Sequence, residues 1–171
     1  MTQTPNLNDD GQSGSAVEKE PVPVFALTVT TVVILLLCQA ITYYLTAHAN
    51  LPVQVFSTPM LELNLVHSEN RGVNFGLMAG DDSRNQYILA GIAIVVGAVM
   101  ATILLGKRRL SHAIAGGMIF GGALSNVMDR MTFGYVFDYI NTPFLGLTNP
   151  FSYNIADIFI VLPIIWWIFK S

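Results

Sequence analysis

The chain has 171 residues, of which 53% are hydrophobic and 11% charged, and its mean hydropathy is +0.55. That balance belongs to a membrane protein rather than an ordinary soluble domain. The formal net charge of −3 gives no reason to expect a nucleic-acid partner, and with Cys38 as its single cysteine the chain excludes an intramolecular disulfide.

Residues 1–22, MTQTPNLNDDGQSGSAVEKEPV, are polar and acidic with little to bury, and predict a disordered tail. Val24 to Ala47 is uncharged and long enough for the roughly 20 residues that a spanning helix needs. AHAN at 47–50 has the small-residue look of a cleavage site, but the acidic leader and the length of the apolar run favour an uncleaved helix. In the connection 48–86, MLELNLV alternates Leu61, Leu63 and Leu65 with Glu62 and Asn64, the pattern of a strand with one apolar face. Turn signals follow in NRGVNFG and AGDD, so a small sheet on the membrane surface is expected, with an irregular loop as the alternative. Tyr87 to Gly106 and Ser111 to Met128 are the next apolar runs, and Ile155 to Phe169 is the last, with Asp157 its one charge. In the third run Ala113, Gly117, Gly121 and Ser125 recur at every fourth position, a groove for close helix packing.

Lys107, Arg108 and Arg109 mark the loop between the second and third helices as cytoplasmic. Both termini then lie inside, in agreement with Lys170, and the other two connections face outward. The expected fold is a membrane all-α core within residues 23–171. Its four transmembrane helices lie at about 24–47, 87–106, 111–128 and 154–170, with a small extracytoplasmic β-sheet and loop cradle between helices 1 and 2.

After Asp82 the acidic residues are Asp129, Asp138 and Asp157, all near the outward ends of helices 3 and 4. Ionisable groups at membrane depth are costly and tend to be functional. Asn126, Asp129 and Arg130 share one helix face, which predicts a salt bridge and hydrogen-bond cluster with a structural role for Asp129. Asp138 and Asp157 have no cation nearby in sequence and flank the outward 3–4 connection. Two close carboxylates share a proton, so one takes a proton from water while the other donates to a carbonyl oxygen, the chemistry of an aspartic peptidase. For Asp157 a second reading stays open: Asn154 caps helix 4 and Asp157, at N3, closes a capping box.

Four boxes, in order, resemble those of the bacterial lipoprotein signal peptidases (signal peptidase II, an aspartyl peptidase family). NRGVNFG is similar to N-x-G-x-x-F-G through Asn70, Gly72, Phe75 and Gly76. GGALSNVMDR is similar to G-G-A-x-x-N-x-x-D-R through Gly121, Gly122, Ala123, Asn126, Asp129 and Arg130. GYVFDY matches G-x-V-x-D-[FY] at Gly134, Val136 and Asp138, and YNIAD matches F-N-x-A-D at Asn154, Ala156 and Asp157.

The resemblance implies an intramembrane aspartyl endopeptidase that removes signal peptides from diacylglyceryl-modified prolipoproteins by cleavage just before the lipidated cysteine. It implies Asp138 and Asp157 as the catalytic dyad, with Asn70, Gly72, Phe75, Asn126, Asp129, Arg130 and Asn154 binding substrate or bracing the site. It further implies no metal or organic cofactor, prolipoproteins and the lipid bilayer as partners, a monomer, and a place in the bacterial cytoplasmic (inner) membrane. The active site is then near the outer interface.

The sequence also departs from the family. Where D-Q-x-x-K is usual in helix 1, this chain keeps Gln39 but has Cys38 and Thr42. Acid and base lost as a pair keep the helix neutral; a changed substrate site, in a catalytically impaired relative acting as a membrane binding or assembly protein, is the alternative. Asn74 and Ser125 stand where Ala and Gly are usual. His48, His67 and His112 have no metal-ligand spacing, and Cys38 reads as a small buried hydrophobe.

Overall fold

Long uncharged runs free of interior proline favour helix once the backbone must satisfy its own hydrogen bonds. In the computed structural model, which describes residues 23–72, 83–147 and 149–170, those runs are α1 (Val24–His48), α2 (Ser83–Leu105) and α3 (Leu110–Phe133), followed by α4 (Ile155–Lys170). Segments Val24–His48 and Arg84–Leu105 are each long and apolar enough to cross a membrane. Between the helices lie β1 (Val53–Ser57), β2 (Glu62–Asn70) and β3 (Val136–Asn141).

α3 is the hub, packed on α1, α2 and α4. Its small residues explain how. A Cβ on Gly117 would lie 2.7 Å from the Leu27 carbonyl oxygen, and one on Gly122 2.7 Å from that of Ala156. Only glycine lets those backbones touch; the four-residue spacing of small side chains predicts this at Gly117 on the α1 side, whereas Gly122, which meets α4, lies off that stripe.

The helices overrun their expected bounds at the polar end. α2 begins at Ser83 rather than Tyr87, because Gln86 is buried and donates from Nε2 to the Arg71 carbonyl over 2.6 Å. α3 continues past Met128 to Phe133, because Asp129 is buried in protein rather than facing lipid. It stops at Gly134, whose φ of 79° is the left-handed cap, with its N–H donating to the Arg130 carbonyl.

The sheet requires a correction. It does not belong to the 1–2 connection alone: it is three-stranded and antiparallel in the order β1-β2-β3, and β3 comes from the connection between α3 and α4. The register sets Ser68 opposite Asp138 and Asn70 opposite Val136. Val136, Phe137, Asp138 and Tyr139 are all buried, so β3 shows no alternation for a sequence reading to find. Phe137 and Tyr139 pack on Leu45, tying the sheet to the end of α1. The tail 1–22, the turns expected over 73–82, and Asn74, Phe75 and Gly76 with them, lie outside the described residues.

Candidate active site

Three parts of the fold meet at the polar end: the first turn of α4, the last two turns of α3, and the paired strands β2 and β3. Asn154 precedes α4, and its Oδ1 accepts the N–H of Asp157 at 3.2 Å while its own N–H donates to Asp157 Oδ2 at 3.1 Å. This is a reciprocal capping box, so the structural reading of Asp157 is correct.

The same residues also form the site. Asn154 Nδ2 donates to Asp138 Oδ1 at 3.0 Å and to Asn126 Oδ1 at 3.1 Å. Asn126 Nδ2 donates to Asp157 Oδ1 at 2.9 Å, and Asn70 Nδ2 to Asp138 Oδ2 at 3.0 Å. The Gly72 N–H donates to Asn70 Oδ1 at 3.2 Å and so aims the amide. The two carboxylates thus share Asn154 as a common donor, and the side chains that bond them are neutral amides.

Both carboxylates lack an ion-pair partner among the described residues. Burial, and next the charge of Asp157, push the Asp138 carboxyl up to about 7, against the opposing pull of Asn70, Asn154 and Arg130. A carboxyl in that range is available in either protonation state near neutrality.

Asp138, Asp157, Asn70, Asn126, Arg130 and Gly72 all line one cavity of about 710 Å3. Beyond Ser152 and Tyr153 its remaining walls are apolar, among them Leu89, Val96 and Met100 of α2, Ile119 and Ala123 of α3, and Val161 and Ile164 of α4. The polar groups occupy one end of a long hydrocarbon-lined groove.

Asp129 does not make the expected ion pair with Arg130 among the described residues. The two carboxylate oxygens are taken elsewhere: Oδ1 accepts from Gln39 Nε2 at 2.9 Å and Oδ2 from the Phe137 N–H at 3.3 Å. Arg130 instead donates from Nη1 to the Asn126 carbonyl at 3.3 Å and faces the cavity. Consecutive residues point about 100° apart on a helix, which puts Asp129 toward α1 and β3 and Arg130 toward the groove. Phe75 lies outside the described residues.

Sequence reasoning missed two contributors. Gln39 stands in the sequence only as a retained family residue, yet its Nε2 also reaches Ser125 Oγ at 3.0 Å; an amide inside an otherwise apolar run is the available signal. Tyr139, whose Oη accepts the Ile155 N–H at 3.2 Å, carried no signal of its own. Among the described residues no group of three or more His, Cys, Asp or Glu side chains converges to hold a metal.

A pair of carboxylates bridged by amides at the end of an apolar groove defines an acid–base site of the aspartic type on a helical scaffold. The sequence model of the family described as Signal peptidase (SPase) II matches residues 29–171. The chain therefore belongs to the signal peptidase II family. The lipoprotein signal peptidase of Serratia marcescens is 36% identical over 108 residues, 63% of this chain and 63% of that one. That of Caldanaerobacter subterraneus subsp. tengcongensis is 34% identical over 124 residues, 71% and 79% of the two chains. That of Methylobacterium sp. (strain 4-46) is 32% identical over 143 residues, 81% and 84%. The match to the Serratia protein spans a little under two thirds of its length. Two solved structures, each described as a bacterial membrane enzyme structure by the in meso method, share the fold with a TM-score of 0.65. They are 23% and 22% identical and cover 85% of this chain.

Proposed function

We propose that the chain is an aspartic endopeptidase that removes signal peptides from diacylglyceryl-modified prolipoproteins, cutting just before the lipidated cysteine, with Asp138 and Asp157 as its dyad. The observation that carries this reading is the pair of carboxylates held on Asn154 at the polar end of the apolar groove. Asp157 takes a proton from the attacking water. Asp138, whose carboxyl burial raises to about 7, donates in its protonated form to the scissile carbonyl oxygen as the tetrahedral intermediate forms. The proton that Asp157 gained then passes to the leaving nitrogen. Asn126 and Asn154 hold the two carboxylates in register, and Asn70 and Arg130 offer donors to the substrate backbone.

The apolar walls suit the hydrophobic stretch of a signal peptide and the acyl chains beside the cysteine. In this reading all four helices cross the bacterial inner membrane, both termini are cytoplasmic with the Lys107–Arg109 turn, and the dyad lies near the outer interface. The sheet cradles the substrate, and a monomer acts without a cofactor. Cys38 and Thr42 are buried neutral side chains, so the altered α1 leaves no unpaired charge beside the site.

The test is expression in cells depleted of their own enzyme, following prolipoprotein processing. Processing by the wild type and its loss in Asp138→Asn and in Asp157→Asn is the expected result. Normal processing by either variant, or none by the wild type, overturns the proposal.

A further inference from the structure

At the end of the bundle away from the aspartates, α3 and α4 leave a second groove, of about 430 Å3. Asp157 is in the first turn of α4 and Lys170 is its last residue, so the two ends lie about 20 Å apart along that helix. The groove has two chemistries. Ile114, Leu162 and Pro163 give it a hydrocarbon floor, and Ser111, Trp166 and Lys170 form its mouth. Lys170 Nζ stands 5.2 Å from the centroid of the Trp166 ring, and His112 meets the same ring edge-on at 5.2 Å.

The mouth is positive. Lys107 and Arg109 lie close enough for their charges to act on His112, as does that of Lys170. Among the described residues, the stretches 83–128 and 158–170 contain no aspartate or glutamate to offset them. A positive mouth on an apolar floor complements an amphipathic anion. A free anion would find only exposed, water-screened cations there and would leave the floor unused. Basic pockets between membrane helices are suited to anionic lipid headgroups.

We propose that this groove binds one phospholipid with an anionic headgroup, its phosphate at Lys170 and Ser111 and an acyl chain along Ile114 and Leu162. The inference rests on the helices lying in a bilayer and is independent of the identity of the peptidase substrate. The Trp166 ring then lies at the level of the glycerol, where amphipathic rings are favoured.

The experiment is native mass spectrometry of the full-length protein released from detergent, titrated with phosphatidylglycerol or with phosphatidylcholine of the same chains. Expected is one saturable phosphatidylglycerol, weakened about fivefold by Lys170→Gln, as loss of one interfacial charge implies. Lys170→Arg retains it, and Ile114→Trp, which fills the floor but keeps the charge, blocks it. Inorganic phosphate does not compete. Equal retention of the two lipids, indifference to Lys170→Gln, or displacement by inorganic phosphate overturns the proposal. Prolipoprotein processing by Lys170→Gln stays at the wild-type level, which keeps this result separate from a failure of the peptidase reading.

Discussion

The N–H of Phe137 donates to Asp129 Oδ2 over 3.3 Å, so the residue beside Asp138 is pinned to α3. The other carboxylate oxygen is held by Gln39 across the α1–α3 contact, and Asp129 is 1% exposed. Asp129 thus bonds neither Asp138 nor Asp157 directly and braces the proposed dyad through the strand. Asp129→Ala strips a partner from two donors: the loss at the Phe137 N–H costs about 1–3 kcal/mol when buried, while Gln39 Nε2 keeps Ser125 as an acceptor and loses less. Asp129→Asn keeps one amide oxygen as acceptor and costs less. Gln39→Leu leaves Asp129 in place with one oxygen unpartnered and falls between them. Thermal unfolding in detergent, read beside processing, checks the order; an Asp129→Asn protein less stable than Asp129→Ala would contradict it.

Asn154 caps α4 through Oδ1 and binds Asp138 through Nδ2, and these two jobs can be separated. Asn154→Ser keeps a cap oxygen but has no donor long enough to reach Asp138. Asn154→Ala loses both. The cap is worth about 0.5–2 kcal/mol, so stability should fall in Ala and be largely kept in Ser. Turnover should fall in both, by on the order of 100-fold, as for removal of one preorganised donor. A Ser variant with wild-type turnover would show that the Asn154 to Asp138 bond is not needed.

How much of this was legible in the sequence follows from what each residue signals locally. The helices were, since uncharged length reports directly on membrane-scale helix. Their polar ends were not, because Gln86 and Asp129 look like solvent-facing residues until burial partners from distant segments are known. The capping box was legible because Asn154 and Asp157 are three residues apart and satisfy each other. β3 was not, since a strand buried on both faces has no alternation, and its partner β2 lies 66 to 77 residues upstream by register, from Asn70 opposite Val136 to Asn64 opposite Asn141. The charge pattern misled at Asp129: adjacency to Arg130 suggested a pair, but the helix turns the two side chains to different neighbours.

Burial and the Asp157 charge raise the Asp138 carboxyl to about 7, and this fixes the sign of a pH dependence. If Asp138 enters the reaction protonated, kcat/KM falls as pH rises through about 7, as the acid is lost. Asn70 donates to the carboxylate and favours its ionised form. Asn70→Leu therefore moves the alkaline limb to higher pH, while lowering the plateau. Asp157→Asn removes the like charge and lowers the Asp138 carboxyl, which a direct titration of that variant would read. A limb that moves to lower pH in Asn70→Leu would contradict the assignment.

Cys38 and Thr42, one turn apart on α1, are 2% and 4% exposed. Cys38→Asp alone adds an uncompensated charge to a packed interface, a change that costs several kcal/mol. Adding Thr42→Lys supplies a partner at helical spacing. The single variant should accumulate poorly and process little, and the double variant should recover both. Immunoblotting for protein level beside processing checks this; a double variant no better than the single would mean that the two positions do not act as a pair.

The distance between α3 and α4 sets the Asn126 to Asp157 bond, and one glycine sets that distance. A Cβ on Gly122 would lie 2.7 Å from the Ala156 carbonyl and 3.0 Å from Ile160 Cγ1, one turn from Asn126. The carbonyl belongs to the helix that carries Asp157, so α4 must move bodily to admit a methyl. Misplacement of a catalytic group by about 1 Å costs on the order of 100-fold in rate. Gly122→Ala should therefore fold and insert yet process prolipoprotein far more slowly. Gly91, on α2, has nothing within 4 Å of its would-be Cβ. Gly91→Ala should keep full processing and gain about 0.5–1 kcal/mol from reduced backbone entropy. If the two alanine variants process alike, the closeness of α3 and α4 does not position Asp157, and the dyad must be held by its amide bonds alone.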